Sequence, residues 1–489
     1  MAKDSRKSAP LKEEKKIMVG FIYNCADIKF LVTSLLLIFI LFTAIQFLPY
    51  KSLIILSPSN FVSYISNPTS KPSSSSIKSL TQLDKISNFT IKRSFNPIGS
   101  AAYLFIQMGA YRGGPSSFAV IGLASKPIHV YSDPKFACKW VPHGNSSAAI
   151  NASLTQKMLP DWGYGRVYTV VVVNCTFDSN VGLNGSGGEL IVTASTGGAQ
   201  DFKEEFVSLE EKPKSVNFSI FESGPKYDYL YCGSPLYGNL SPQRVREWIA
   251  YHVKLFGKKS HFVIYDAGGV HREVLRVLKP WIEKGFVTLH DVRDQEMFDG
   301  YYHNQFLVVN DCLHKYRFDA KWMFFFDVDE FIYVDEKSNL DGFMKSMEGF
   351  TQFTIEQMPM SSKLCLTDDL GKAGRMWGME KLIYKDVKRG IRRDRKYAIQ
   401  PRNAYSAGVH LSQNFTGKTT HKTEGRIKYF HYHGTIATRR EPCKEFVNSS
   451  ELWYEKTPYY RDETLRGIAA SIKMFELKSI GKALMRTRQ

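Results

Sequence analysis

Apolar positions fall into successive patterns along the 489-residue chain. The first is unbroken. Phe30–Leu48, FLVTSLLLIFILFTAIQFL, is nineteen residues without a charge and is long enough to span a bilayer. The second has no period: from Pro49 to about Ser100 the chain is rich in Ser, Pro and Asn and reads as a stem. The third is made of short β-rich runs over residues 101–223, among them AYLFIQMGAY, SFAVIGLAS, VYTVVVVNCTF and ELIVTAST. Turn-forming clusters such as HGNSS and LNGSGG separate them, and strands at this spacing predict an all-β sandwich.

From Tyr227 the rhythm becomes strand–helix alternation, and residues 224–489 read as one catalytic domain. YDYLYCGSPL, SHFVIYDAGG, FVTLHDV and KWMFFFDVDEFIYV are the predicted strands. SPQRVREWIAYHVKLFG is a predicted helix, capped by Ser241, with Pro242 in its first turn and Gly257 at its end. HREVLRVLKPWIEKG is a second, with a break expected at Pro280, and YHNQFLVVNDCLHKYRF is a third. Repeated βαβ units build a parallel sheet, and ligands bind such sheets at the C-terminal ends of the strands.

Within KWMFFFDVDEFIYV, three carboxylates interrupt one of the most apolar stretches of the chain: Asp327, Asp329 and Glu330. Burying an unpaired carboxylate is costly, so they should surface at a strand end or meet a cation. On a continuous strand Asp327 and Asp329 face one way and Val328 the other. Two carboxylates on one face call for a bridging ion, and oxygen ligands favour Mn2+ or Mg2+. Such a site suits a nucleoside diphosphate leaving a sugar. Asp266 ends an earlier predicted strand on the same side.

Charge and cysteine set the compartment. Basic residues, Lys3 to Lys29, precede the apolar run, so residues 1–29 are expected in the cytosol, 30–48 as a signal anchor, and the rest in the lumen. Nine Asn-x-Ser/Thr sequons lie beyond the anchor and none before it. Six cysteines follow it (Cys138, Cys175, Cys232, Cys312, Cys365 and Cys443), enough for three disulfides or for buried thiols. The net charge of +18 permits nucleic acid, a membrane surface or an acidic polymer as partner. No zinc-finger spacing or ribonucleoprotein box supports nucleic acid. The basic run Lys385–Lys396 suits phosphates, an acidic glycan or plain solvent. In the sandwich, Trp140, Trp162 and Tyr164 suggest the stacking face of a carbohydrate-binding module; a spacer or homodimer platform is the other reading.

The segments EWIAYHVKLFG (247–257), HFVIYDAGG (261–269), NDCLHKYR (310–317), WMFFFDVDEFI (322–332), AGVH (407–410) and YFHYHGT (429–435) resemble those of glycosyltransferase family 92. The likeness is greatest to plant members that extend β-1,4-galactan, a pectin side chain, from UDP-galactose. It implies a type II Golgi membrane protein with a GT-A (Rossmann-like) α/β catalytic domain. Asp327 and Asp329 would then hold Mn2+ or Mg2+ on the donor diphosphate, Glu330 would support them or touch the sugar, and Asp266 would face the uridine. His431 is the first choice for a further metal ligand, His433 the alternative and His410 a weaker one. UDP-galactose is an α-glycoside and the product is β, so the reaction inverts and needs a general base. The carboxylates downstream of the metal motif, Asp369, Asp368 and Glu380, are the candidates. A haloacid-dehalogenase-like phosphatase, with Asp327 as nucleophile, and a non-catalytic lumenal lectin are the rival readings.

Overall fold

The computed structural model describes residues 34, 36, 78–79 and 84–487, apart from 88, 100–102, 127–132, 145, 165–166, 198–200, 299–300, 336–337, 391–392, 424 and 438. The expected cytosolic tail, nearly all of the anchor and most of the stem therefore lie outside the described residues. Among the described residues no helix is long and apolar enough to cross a membrane. The fold belongs to one compact unit, Ser73–Gln489.

Two five-stranded sheets form a sandwich. One contains Lys135–Pro142, Gly188–Ser195 and Lys203–Glu211; the other contains Phe105–Gly114, Ser117–Ser125 and Tyr168–Thr176. Alternating apolar residues turn inward from both, including Phe105, Phe118, Trp140, Val171, Val173, Leu190 and Phe206. The Cys138–Cys175 disulfide joins the two sheets. Trp140 is fully buried and stacks on Phe118 at 5.4 Å between ring centroids. It is thus part of the core and not of a glycan-stacking face, because its strand position points between the sheets. Trp162 and Tyr164 are exposed.

The catalytic sheet is mixed. We number its strands β1 (Thr90–Lys92), β2 (Tyr227–Cys232), β3 (Ser260–Asp266), β4 (Val287–Asp291), β5 (Ala320–Phe325), β6 (Glu330–Val334), β7 (Gln352–Pro359), β8 (Lys396–Ile399) and β9 (Ile427–His431). Their order is β6-β9-β7-β8-β5-β2-β3-β4-β1, with Lys85–Ser87 outermost. β5, β2, β3, β4 and β1 are mutually parallel; β8 is antiparallel to both β5 and β7. The helices between the parallel strands are α1 (Pro242–Phe256), α2 (Arg272–Glu283) and α3 (Gln305–Lys315). Ser241 caps α1 by accepting the Arg244 N–H, and Gly257 ends it at φ 76°. α2 runs through Pro280 without the expected break, held at its end by the buried Trp281.

Two expectations need correction. Strands begin before residue 100: β1 and Lys85–Ser87 belong to the catalytic sheet, and Asn96–Ile98 to the sandwich, so the stem does not reach residue 100. The KWMFFFDVDEFIYV run is not one strand either. β5 stops at Phe325, Asp327–Asp329 lie in a turn, and β6 starts at Glu330. The Glu330 carboxylate accepts the Asp327 N–H at 2.7 Å, and the Glu330 N–H donates to the Asp327 carbonyl at 3.2 Å. These bonds close the turn, so strand alternation does not orient the two aspartates.

The sandwich is welded to the catalytic sheet. Ile106, Met108, Ile121 and Val172 share one core with Leu307, Val308 and Cys312 of α3 and with Met323 and Phe325 of β5. At its centre Asp311 is buried. It accepts from Arg93 Nη2 at 2.8 Å, from the Tyr111 hydroxyl at 2.6 Å and from the Tyr265 hydroxyl at 2.7 Å. Burial opposes ionisation of Asp311, yet the Arg93 guanidinium holds its carboxyl below the usual range. Arg93 lies just past β1, Tyr111 in the sandwich, and Tyr265 and Asp311 in the catalytic domain. Arg93→Met strands the Asp311 charge and is expected to cost about 3–5 kcal/mol of stability. Chemical denaturation of the purified protein checks this: Arg93→Met/Asp311→Leu should recover most of the loss, and an Arg93→Met midpoint equal to wild type would refute the weld.

Candidate functional site

Three anchors on α1 hold β6 and therefore the acidic turn before it. Trp248 Nε1 donates to the Glu330 carbonyl at 3.0 Å, and the Tyr251 hydroxyl to the Ile332 carbonyl at 2.7 Å. His252 Nε2 accepts the Ile332 N–H at 3.2 Å. Burial lowers the His252 pKa to about 3, which keeps that acceptor neutral. The EWIAYHV motif is thus scaffold for the turn. NDCLHKYR plays a similar part: Asn310 pairs by two bonds of 2.8 Å with the backbone of Ala407, and His314 Nε2 meets the Tyr405 carbonyl at 3.1 Å. Together they position the segment that carries His410.

The turn opens into a cleft of about 620 Å3 at the C-terminal rim of the parallel strands. Asp327, Asp329, Asp394, Lys396, His410, His431 and His433 all line it. The two aspartates have different partners. Asp327 accepts from Lys396 Nζ at 2.8 Å, from the Ser234 hydroxyl at 2.7 Å and from Gln305 Nε2 at 3.1 Å. Burial opposes its ionisation, but the Lys396 ammonium prevails and its pKa falls. Asp329 has no such cation. Burial raises its pKa, and the neighbouring imidazole of His431 only partly offsets that.

Asp329, His431 and His433 form a cluster whose ligand atoms lie within 4.8 Å of one another. His431 Nε2 is 3.7 Å from Asp329 Oδ1. The Gln357 side-chain amide holds His431 Nδ1 at 2.6 Å, the kind of outer contact that orients a ligating imidazole. The Tyr432 N–H donates to the Asp329 carbonyl at 3.0 Å and the Gly434 N–H to Asp329 Oδ2 at 3.1 Å, locking the histidine segment to the turn. One carboxylate and two imidazoles fit a divalent transition metal, and the nitrogen ligands favour Mn2+ over Mg2+.

Other expected site residues sit elsewhere. Glu330 is buried beneath the turn, 3.7 Å from Lys396 Nζ, and does not line the cleft. Asp266 uses Oδ1 to accept the Gly268 and Val270 N–H groups at 2.8 and 2.9 Å, shaping the loop after β3. The three base candidates fail on geometry. Asp369 is buried and spends both oxygens on Arg466, at 2.7 and 2.9 Å. Glu380 accepts the Trp377 N–H at 2.6 Å and pairs with Lys473. Asp368 is exposed in the turn Thr367–Asp369, and none of the three lines the cleft.

Sequence reasoning missed Lys396, Ser234, Gln305 and Asp394. Lys396 and Asp394 sit in the basic run, where their neighbours disguise them. Only the antiparallel pairing of β8 with β5, across some seventy residues of chain, brings Lys396 to Asp327. Lys385, Lys388, Arg389, Arg393 and Arg395, from the same run, line a different cavity of about 520 Å3. The cysteines resolve as Cys138–Cys175, Cys232–Cys312 and Cys365–Cys443.

Residues 227–473 match the model of glycosyltransferase family 92, a span that runs from β2 into the C-terminal helix Thr464–Ile480 and includes the whole acidic and histidine cluster. The chain is 53% identical to the galactan β-1,4-galactosyltransferase GALS3 of Arabidopsis thaliana over 98% of both chains. It is 58% identical to GALS2 of the same plant, over 81% of this chain and 78% of that one. It is 53% identical to GALS1, over 80% and 79%. A match across half of the sequence, joined to relatives this similar along most of their length, means that the chain belongs to glycosyltransferase family 92.

Proposed function

We propose that this protein is an inverting galactosyltransferase that moves galactose from UDP-galactose to the non-reducing end of β-1,4-galactan. The observation that carries the reading is the carboxylate–imidazole cluster beside a lysine-paired aspartate, in one cleft of a chain whose relatives bear that activity in their names. The parallel strands, rim cleft and acidic turn support a GT-A type of catalytic domain. Three disulfides support folding in an oxidising compartment, as expected of the lumenal part of a type II Golgi protein.

Asp329, His431 and His433 would hold Mn2+. Bound there, the ion would neutralise the donor diphosphate and stabilise UDP as it leaves. Asp327 is paired with Lys396 at the cleft wall, so it does not add to the negative charge that the donor phosphates meet. Asp394 takes the role that the sequence placed on Asp369, Asp368 or Glu380. Its carboxylate is 59% exposed on the cleft wall, and its nearest charged or titratable partner there is His410, with Nε2 at 4.0 Å. His410 Nδ1 lies 3.0 Å from the Arg395 carbonyl, to which it must donate. That leaves Nε2 as an acceptor beside Asp394. In the transfer, an acceptor hydroxyl oxygen bonds to C1 of galactose and the C1–O bond to UDP breaks. The hydroxyl proton goes to Asp394.

Three experiments test this. Purified protein offered several UDP-sugars and galacto-oligosaccharide acceptors should transfer galactose; transfer of glucose or N-acetylglucosamine but not galactose would overturn the substrate. Asp394→Asn should lower kcat by about 100-fold or more while the KM for UDP-galactose stays near wild type; a near-normal kcat would remove Asp394 from the mechanism. Calorimetric titration with MnCl2 separates the aspartates. Asp329→Ala and His431→Ala should each weaken binding by at least about tenfold, and Asp327→Asn by much less. Equal losses at Asp327 and Asp329 would restore the paired-aspartate site.

A further inference from the structure

The cleft has an aromatic wall that the transfer chemistry leaves unused, and part of it comes from the sandwich. Tyr164 belongs to the loop after Leu154–Met158 and lines the cleft together with Tyr237, Tyr301 and Tyr302 of the catalytic domain. Its ring centroid is 5.2 Å from that of Tyr301 and 6.5 Å from that of Phe306. Tyr164 is 58% exposed, Tyr301 44% and Tyr302 54%. Large rings left open around a substrate cleft are costly to leave unfilled in water and suit a ligand with apolar faces.

Both segments that present these rings are rigid and strained. Asp161 is fully buried and staples the sandwich loop. Its carboxylate accepts the Gly163 N–H at 3.0 Å, the Thr169 hydroxyl at 2.5 Å and the Val170 N–H at 2.9 Å. Lys126 Nζ donates to the Gly163 carbonyl at 2.6 Å. Trp162 is left-handed at φ 59°, and with Gly163 it turns Tyr164 out toward the cleft. On the opposite side Tyr302, His303 and Asn304 are left-handed in succession, at φ 51°, 53° and 55°. Left-handed backbone of this kind gathers at ligand sites. Tyr237 stacks on His303 at 3.8 Å and braces that turn.

We infer that Tyr164 and Tyr301 form an acceptor subsite, a clamp in which a galactopyranose ring of the growing chain lies against aromatic faces supplied by two domains. The inference rests on the proposed galactan substrate. The charged groups at the cleft floor suit the diphosphate end of the donor. Tyr164, Tyr301 and Tyr302 are each about half open, and of these Tyr164 and Tyr301 meet across the two domains, 5.2 Å between centroids, where an oligosaccharide leaving the cleft would pass. Galactose carries its C3–C5 hydrogens on one apolar face, a good match for a tyrosine ring. The sandwich then acts on the reaction directly, by completing the cleft.

Steady-state kinetics on the purified protein test this with Tyr164→Ala, Tyr164→Phe and, as a control, Trp453→Ala, an exposed aromatic that does not line the cleft. Tyr164→Ala should raise the KM for galacto-oligosaccharides about three- to tenfold, with kcat and the KM for UDP-galactose near wild type. Tyr164→Phe should keep the ring and the wild-type KM, and Trp453→Ala should match wild type. Calorimetric titration of the oligosaccharide should show the same loss of affinity without turnover. An unchanged acceptor KM in Tyr164→Ala, or a rise in the KM for UDP-galactose instead, would overturn the clamp. Wild-type protein that makes no galactan from UDP-galactose would sink the proposed function itself, a separate result.

Discussion

One short turn carries too much negative charge for its surroundings, and the rest of the site is arranged around that fact. Asp327, Asp329 and Glu330 fall within four residues, at the rim of a sheet whose strands are almost wholly apolar. In a buried setting carboxylates repel one another and lose their hydration, so they persist only with cationic or donor partners. Lys396 answers two of the three, reaching Asp327 at 2.8 Å and Glu330 at 3.7 Å. Burial works against its own charge, but the two carboxylates raise its pKa and keep the ammonium protonated. Asp329 is left to the imidazoles of His431 and His433. The acidic motif is therefore divided: one aspartate is neutralised by a lysine, and the other faces two imidazoles, as the proposed cation site requires.

That division explains why the flanking segments are built as they are. A turn that must hold a carboxylate toward a ligand cannot be allowed to flex. α1 grips β6 with Trp248, Tyr251 and His252, all directed at backbone atoms and none at the cleft. The histidine segment is tied to the same turn through the Tyr432 and Gly434 N–H groups. Metal ligands are useful only if their spacing survives thermal motion, and backbone bonds supply that stiffness at low entropy cost.

Much of this could be read before any coordinates. The helices α1 and α3, the parallel strands β2 to β5 and the sandwich all follow from period and capping, since local sequence decides them. The acidic motif stood out as charge inside an apolar run, while His431 and His433 entered only through the family resemblance. What escaped depends on contacts between distant parts of the chain. The strand around Asp327 looked continuous because apolar residues flank it on both sides, yet Glu330 caps the backbone at Asp327 and breaks it. Asp369 looked available because composition does not show that Arg466, nearly a hundred residues later, takes both of its oxygens. Lys396 looked like one more surface cation in a basic run, and no local pattern marks it as the buried counter-charge of the motif.

The order of segments argues against treating the sandwich as a tethered accessory. Lys78–Ser79 pairs with a sandwich strand before β1 adds to the outer side of β4, the chain then builds the rest of the sandwich, and β2 opens the parallel sheet after it leaves. The two sheet systems thus interleave along the chain. Arg93, just past β1, reaches Asp311 in α3, whose next residue, Cys312, is disulfide-bonded to Cys232 of β2. The same helix begins at Gln305, which donates to Asp327. A displacement of the sandwich would therefore be felt along α3 at the acidic turn itself. A module that only needed to hold glycan near the enzyme would gain nothing from so rigid a junction, since a flexible linker raises local concentration without it. A junction that fixes Tyr164 against Tyr301 requires it.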